Sequence, residues 1–177
     1  LDLLRRNSDD QHVLLALLRL EASQKNFGEA RIWLDELRTI GADPETVALE
    51  QATLDLAEGK VREARDELQR LVRANPELDR AWTTLALMGL EEDDQDLVDR
   101  VLRQFRDQNR PVPRAVLVAL ADTAAKRGDW EAARAHVDRL LQRQPYDEAL
   151  WEMRVRLDSL SGDREKLANS LPALLSV

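Results

Sequence analysis

The chain contains no cysteine, so disulfide bonds and thiolate chemistry are excluded. That absence leaves the cellular compartment open between cytoplasm and periplasm. Aromatic residues make up only 4% of the 177 residues, and there are only six glycines and six prolines. Hydrophobic residues nevertheless account for 44% of the chain and charged residues for 34%, with Leu and Ala prominent. This composition predicts a foldable, helix-rich protein.

Two further absences concern the partners that the chain is able to bind. The longest apolar runs, Val13 to Leu18 and Val116 to Ala121, are far shorter than the roughly 20 residues that cross a bilayer. We therefore predict no membrane insertion by this segment. The formal net charge is −8, so there is no excess of cations to displace phosphate counterions, and nucleic acid is not an expected partner.

A short corner motif recurs along the chain. In Arg127-Gly128-Asp129-Trp130, the glycine suits the left-handed residue after a helix and Asp129 suits the cap of the next helix. Related corners begin near Asn26, Gly59, Asp94 and Gly162. Equivalent residues of the five corners are spaced 34, 34, 35 and 34 apart, and they are Ala30, Ala64, Val98, Ala133 and Leu167. A fixed period of this length predicts a helical solenoid.

The period divides the chain into five predicted helix pairs within one repeat domain that spans residues 1–177. Their predicted bounds are 11–44, 45–78, 79–113, 114–147 and 148–177. Residues 1–7 are predicted to be the remnant of a preceding helix, and Ser8 with Gln11 resembles a capping box. Because proline breaks helices, Pro172 predicts that the last helix is interrupted and that the tail forms a short separate helix.

The repeat resembles the tetratricopeptide family. Trp82 and Leu85, with Ala86 in the glycine position, resemble its opening motif, and Pro76 and Pro145 occupy its closing proline position. The resemblance implies an all-α fold, a right-handed α-solenoid of antiparallel helix pairs.

Small residues are expected where the two helices of each pair cross, because they let the helices approach closely. The predicted crossing residues are Ala52, Ala86 and Ala121 on first helices, and Ala64, Val98 and Ala133 on second helices. Val98, Val155 and Leu167 are larger, so the third and fifth pairs are expected to depart from the regular crossing. A degenerate fifth unit is typical of a capping repeat.

No arrangement of residues predicts catalysis, a cofactor or a metal. His12 and His136 have no evident ligand or triad partner and are interpreted as surface or groove residues. The acidic stretch 91–96 lacks the glycine and distal glutamate of a calcium loop, so it is interpreted as a solvated turn. Gly89 lies inside a predicted helix, where close packing explains it. The four tryptophans are interpreted as packing residues, and the Arg-Gly-Asp tripeptide as part of a corner.

In the family that the chain resembles, first helices line a concave groove. That resemblance implies a partner-binding groove with an apolar middle and charges at intervals, which suits an extended peptide or an amphipathic helix. The predicted groove residues are Leu15, Arg19, Leu49, Thr53, Leu56, Arg80, Thr83, Leu87, Leu90, Val118, Asp122, Glu152 and Arg156. The leucines are expected to form the floor and the arginines to pair with carboxylates or backbone carbonyls of the partner.

One subfamily clamps the C-terminal carboxylate of chaperones with lysines and asparagines on three successive first helices. The corresponding positions here hold Leu15, Arg19, Glu50, Arg80 and Thr84, so the clamp is not reproduced.

The sequence thus favours a non-enzymatic protein–protein interaction scaffold within a larger bacterial protein, with a protein or peptide partner of unknown identity. Two alternatives remain open at this point. One is a structural module that forms homo-oligomers through its terminal helices, and the other is a regulatory domain of a larger enzyme.

Overall fold

The computed structural model describes residues 11–176, which form ten α-helices and no β-strand. The first five helices are α1 (Gln11–Ser23), α2 (Phe27–Thr39), α3 (Pro44–Ala57), α4 (Val61–Ala74) and α5 (Asp79–Glu91). The second five are α6 (Gln95–Asp107), α7 (Arg114–Lys126), α8 (Trp130–Leu141), α9 (Glu148–Leu160) and α10 (Arg164–Leu175). The predicted remnant helix at 1–7 and the predicted cap at Ser8 lie outside the described residues.

The chain divides into two compact units, residues 1–85 and 86–177, and the division falls within α5. In the first unit α1 packs on α2 and α3 packs on α4. In the second unit α7 packs on α8 and α9 packs on α10. These are four of the five predicted helix pairs, whereas a single repeat domain with the five predicted boundaries stays a prediction.

The corner motif forms as the sequence predicts. Gly128 has a φ of +76°, which a glycine adopts without the strain that a Cβ would add. The carboxylate of Asp129 then accepts a hydrogen bond of 3.0 Å from the backbone N–H of Ala132 and caps α8. In the acidic turn, Asp93 takes the glycine position with a φ of 58° and Asp94 caps α6. That turn is therefore a helix corner without its glycine.

The cores of both units are built from the aligned apolar positions of the helices. In the first unit the core contains Leu14, Leu15, Leu18, Ala30, Leu34, Leu37, Val47 and Leu54. In the second unit it contains Leu117, Ala121, Ala133, Val137, Leu140, Leu141, Leu150, Met153 and Leu157. Burying one such leucine contributes about 1.5–3 kcal/mol, so these clusters are the main source of stability.

The small residues at the crossings are buried in the first four pairs. Ala30, Ala64, Val98 and Ala133 are all at most 1% exposed. Leu167, the equivalent residue of the fifth pair, is only partly buried. The fifth pair therefore lacks the fully buried residue that the other pairs have at this position, while the predicted change in its crossing stays a prediction.

In the third pair, the larger Val98 is accommodated by Gly89. A Cβ added to Gly89 would lie 3.0 Å from Val98 Cγ2 and 3.2 Å from the backbone oxygen of Asp94. Gly89 is buried within α5, so close packing is the reason for a glycine at this position.

Two of the tryptophans tie the repeat boundary to the start of a first helix. The indole Nε1 of Trp82 donates to the carbonyl of Pro76 at 3.0 Å, and that of Trp151 donates to the carbonyl of Pro145 at 2.8 Å. Trp151 and Trp130 also pack against the core of the second unit. The prediction that the tryptophans are packing residues is confirmed for these two and for Trp33, which packs against the core of the first unit.

The predicted interruption at Pro172 is wrong. Helix α10 runs from Arg164 to Leu175 and contains Pro172 in its interior. Proline removes one N–H donor, but its fixed φ of about −65° is itself a helical value, so the helix continues on both sides.

Candidate functional site

The first unit contains one fully buried carboxylate on its first helices. Glu50 in α3 is 0% exposed and lies between Arg19 of α1 and Arg80 of α5. Arg19 Nε donates to Glu50 Oε1 at 3.2 Å, and Arg80 Nη1 donates to the same oxygen at 2.8 Å. Burial alone would raise the pKa of Glu50, but the hydrogen bonds from both arginines outweigh it and hold the pKa below its usual value.

This cluster includes two residues of the predicted groove, whose role in binding stays a prediction. Arg19 and Arg80 pair within the chain with Glu50, because a buried carboxylate requires compensation. Leu15 and Leu49 are only 8% and 2% exposed, so they belong to the interior rather than to a floor open to a ligand. Arg80→Glu would set two carboxylates together, so that change is expected to destabilise the first unit.

Three other predicted residues of the first helices offer a partner little. The hydroxyl of Thr53 donates to the carbonyl of Leu49 at 2.8 Å, and that of Thr83 donates to the carbonyl of Asp79 at 2.7 Å. Leu56 is partly buried. Thr53 and Thr83 therefore use their donors within their own helices.

The second unit has a buried carboxylate of its own. Asp158 in α9 is 2% exposed and pairs with Arg134 of α8 at 3.0 Å and with Arg154 at 3.2 Å. Burial lowers the pKa of Arg154, and the nearby Arg134 lowers it further. These charges stabilise the contact between α8 and α9. Sequence reasoning missed them, although the i, i+4 spacing of Arg154 and Asp158 was an available signal.

A first depression lies on the second unit between α5 and α7. Its volume is about 450 Å³. It is lined by Leu87, Leu90 and Glu91 of α5 and by Ala119, Asp122, Thr123 and Lys126 of α7.

A second depression lies between α7 and α9. Its volume is about 430 Å³. It is lined by Asp122, Ala125 and Lys126 of α7, Trp130 of α8, and Met153, Arg156, Leu157 and Leu160 of α9. Because Asp122 and Lys126 line both depressions, the two form one surface across the C-terminal halves of α5, α7 and α9. We call this surface, with the residues just given, the unit 2 groove.

The unit 2 groove combines apolar side chains, of which Leu160 is the most exposed, with cations that form no ion pair with another described residue. Leu160 is 61% exposed. Within the described residues, neither Lys126 nor Arg156 forms an ion pair, in contrast to Arg19 and Arg80 of the first unit. Cations held beside apolar surface are available to anionic groups of a ligand.

Four of the predicted groove residues meet in the unit 2 groove, namely Leu87, Leu90, Asp122 and Arg156. Val118 and Glu152 lie on α7 and α9 but line neither depression. Sequence reasoning missed Lys126 and Leu160. Both lie four residues after a predicted groove residue on the same helix, so the spacing of helical faces was the available signal.

A third depression, of about 550 Å³, lies in the first unit at the corner between α2 and α3. It is lined by Arg38, Gly41, Ala42, Pro44, Val47, Ala48, Gln51 and Glu67. Its cation Arg38 already pairs with Asp35 and donates to Gln51 at 2.9 Å. The charge of this depression is therefore engaged within the chain.

Neither histidine nor the Arg-Gly-Asp tripeptide lines any of the three depressions. His12 is exposed at the start of α1, whereas His136 of α8 is partly buried, and burial followed by the charge of Arg139 lowers its pKa. In the Arg-Gly-Asp tripeptide, Arg127 pairs with Asp93 while the other two residues form the corner.

Among residues 11–176, no group of three or more His, Cys, Asp or Glu side chains could hold a metal ion. No helix in the described part of the chain is long and apolar enough to span a membrane.

Comparison with solved structures shows the fold. A tetratricopeptide repeat protein from Parabacteroides merdae superposes with a TM-score of 0.63 at 18% identity, over 94% of this chain and 64% of that one. The chain thus spans just under two thirds of that protein. PilW, a widely conserved type IV pilus biogenesis factor, gives a TM-score of 0.63 at 16% identity, over 94% of this chain and 76% of that one. MamA from AMB-1 gives 0.59 at 17% identity, over 94% and 91%.

These similarities confirm the predicted fold class, an all-α solenoid of antiparallel helix pairs. No curated protein matches the chain in sequence.

Two family models match the sequence itself. Both describe the tetratricopeptide repeat, and they match residues 49–97 and 114–157, which together make up just over half of the chain. The matches include all of α4, α5, α7 and α8, and therefore most of the helices that line the unit 2 groove. With its period of about 34 residues, its helix pairs and these matches, the chain belongs to the tetratricopeptide repeat family.

Proposed function

We propose that the chain is a non-enzymatic protein–protein interaction module that holds a segment of a partner protein in the unit 2 groove. The observation that carries this proposal is the presence of two cations that form no ion pair with a described residue, Lys126 and Arg156, beside apolar side chains in two connected depressions. A partner segment that presents an acidic side chain beside an apolar one complements both features.

The size and openness of the depressions support a polypeptide ligand. Each depression has a volume within the range of small-molecule pockets, about 300–1,000 Å³. Both are open to solvent and joined through Asp122 and Lys126, so they suit successive side chains of one segment rather than an enclosed small molecule.

The first unit is not part of the proposed site. Its arginines are engaged by Glu50, and Leu15 and Leu49 are buried. The partner's register is therefore proposed to depend on Arg156 and Lys126 rather than on Arg19 and Arg80.

The test is affinity capture from an extract of the native organism with three forms of the chain: wild type, Arg156→Glu and Arg103→Glu. Arg103 is an exposed residue of α6 that lines neither depression, so it matches the change of charge without touching the groove. Quantitative mass spectrometry should find proteins that Arg156→Glu loses and Arg103→Glu retains. The same set of captured proteins for all three forms would refute the groove as the interface.

A second candidate function, self-association through α10, is favoured by one specific observation. Leu171 and Leu175 are 44% and 81% exposed, whereas Val137 and Leu141, at the equivalent positions of α8, are 0% and 7% exposed. In α8 these positions are covered by α9. Light scattering at two concentrations should show a mass that increases with concentration and that Leu171→Lys with Leu175→Lys reduces to the monomer. A monomer at both concentrations would rule out this candidate.

A further inference from the structure

The two depressions of the unit 2 groove differ in charge. The first is lined by Glu91, Asp122 and Lys126, and the second by Asp122, Lys126 and Arg156. Asp122 and Lys126 line both depressions and carry opposite charges that cancel. The difference in charge between the two depressions therefore comes from Glu91 at one end and Arg156 at the other. The groove thus has an anionic end and a cationic end.

The end charges are available to a ligand. Glu91, Asp122, Lys126 and Arg156 are all exposed, and none of them forms an ion pair with another described residue. Each end also provides apolar surface, with Leu87 and Leu90 at the anionic end and Leu160 at the cationic end. A charged residue next to an apolar anchor is therefore accommodated at each end.

We infer that the partner segment is bipolar, with an apolar anchor and a basic residue at the Glu91 end and an apolar anchor and an acidic residue at the Arg156 end. This inference rests on the proposed function and specifies its ligand. Charge complementarity fixes the orientation of the segment, since the opposite orientation would place like charges together at both ends.

The spacing of the helices limits the distance between the two anchors. The two depressions lie on either side of α7, so the two anchors that fill them are separated by about one interhelical distance, which is about 8–10 Å. An extended chain rises about 3.3 Å per residue, so this distance corresponds to about three residues. Peptides whose two leucines lie at positions i and i+2, i and i+3, or i and i+4 bracket this distance.

The experiment measures binding of synthetic fluorescent peptides to the whole chain by fluorescence anisotropy at 150 mM salt, roughly the physiological ionic strength. At each leucine spacing there are four peptides: Lys at the N-terminal end with Glu at the C-terminal end, the reverse order, Lys at both ends, and Glu at both ends. Both backbone directions are needed because the groove fixes the order of charges in space but not the direction of the peptide chain.

A bipolar peptide should bind at least about threefold more tightly than either uniformly charged peptide, the size expected for exchanging exposed attractive pairs for repulsive ones. Reversing the charge at either end of the groove should change which peptide binds most tightly, in opposite directions for the two ends. Arg156→Glu makes both ends anionic and should shift the preference to the peptide with Lys at both ends. Glu91→Lys should shift it to the peptide with Glu at both ends, and Arg103→Glu should change nothing.

Two negative results are distinguishable. If all four charge patterns bind equally well and binding still requires the leucines, the bipolar inference is overturned while the proposed function stands. If no peptide binds at any spacing, both fail. Circular dichroism of each variant checks that helical content is unchanged, which is expected because both end residues are exposed.

Discussion

The contact between Gly89 and Val98 makes a sharp prediction about packing in the third helix pair. A Cβ on Gly89 would lie 3.0 Å from Val98 Cγ2, 3.2 Å from the oxygen of Asp94 and 3.4 Å from Leu97 Cβ. Carbon atoms normally approach to about 3.5–4.0 Å, so Gly89→Ala forces α5 and α6 to shift locally.

Two opposing effects determine how much Gly89→Ala changes the free energy of unfolding. Alanine stabilises a helix interior by about 0.5–1 kcal/mol relative to glycine, whereas overpacking a buried contact costs about 1–3 kcal/mol. The packing term is the larger, because the nearest neighbour, Val98 Cγ2, belongs to a buried β-branched side chain whose rotamer is restricted in a helix. Gly89→Ala should therefore lower the free energy of unfolding by about 1 kcal/mol.

The repeat itself indicates where the compensation lies. In the neighbouring repeats, the position equivalent to Val98 holds Ala64 or Ala133. The position equivalent to Gly89 holds Asp55 or Ala124. The larger residue on the second helix thus occurs where the first helix carries the smallest one. Val98→Ala removes the nearest neighbour of the added Cβ and should relieve most of the strain.

A double-mutant cycle measured by urea unfolding tests this reasoning. Gly89→Ala should cost about 1 kcal/mol alone and clearly less, or nothing, in the Val98→Ala background, which is a coupling of about 0.5–3 kcal/mol. Ala135→Gly on the exposed face of α8 measures the helix-propensity term without a packing contribution. An equal cost of Gly89→Ala in both backgrounds would refute the account.

Three further predictions concern the crossings, the buried carboxylate and the fifth helix pair. Ala64→Leu or Ala133→Leu should cost about 1–3 kcal/mol by overpacking, while Ala135→Leu, at an exposed position, should cost far less; equal melting temperatures for the three variants would contradict this. Glu50→Gln should cost about 1–2 kcal/mol at pH 7, because both arginines lose a charged acceptor. The pKa of Glu50 is lowered in the folded state, so its contribution to the free energy of unfolding is present above the unfolded pKa and is lost as pH falls through the folded pKa. The difference in stability between wild type and Glu50→Gln should therefore disappear in acid. A difference that stays constant in urea unfolding from pH 7 to pH 3 would exclude this role. Removing residues 147–177 uncovers Val137 and Leu141, so the shortened chain should keep a helical circular dichroism signal and lose solubility, whereas complete loss of that signal would indicate a single cooperative bundle.

Features that depend on neighbouring residues in the sequence were predictable. The caps at Asp129 and Asp94 and the turn at Gly128 need only a few consecutive residues, and each forms as predicted. Pro172 is the exception, because the local rule against proline in helices did not decide the outcome there.

The groove was predicted only in part because its residues depend on contacts between distant positions. Leu49 directly precedes Glu50 on α3, and both are buried. The sequence does not indicate how much of the surface of a helix is buried, because that depends on the neighbouring helices. Arg19 and Arg80 are engaged by a carboxylate 31 and 30 residues away, which no local pattern indicates. Leu87 and Asp122 were predicted because their positions recur with the repeat.

The most direct test of the central claim is site-specific photocrosslinking in the cells that express the protein. A photoreactive residue is introduced at Thr123, which lines the unit 2 groove, or at Ala135, which is exposed on α8 and lines neither depression. The account predicts a covalent adduct with a partner protein from the Thr123 position, absent from the Ala135 position and abolished by Arg156→Glu. An adduct from Ala135 alone, or adducts of equal yield from both positions that survive Arg156→Glu, would contradict it.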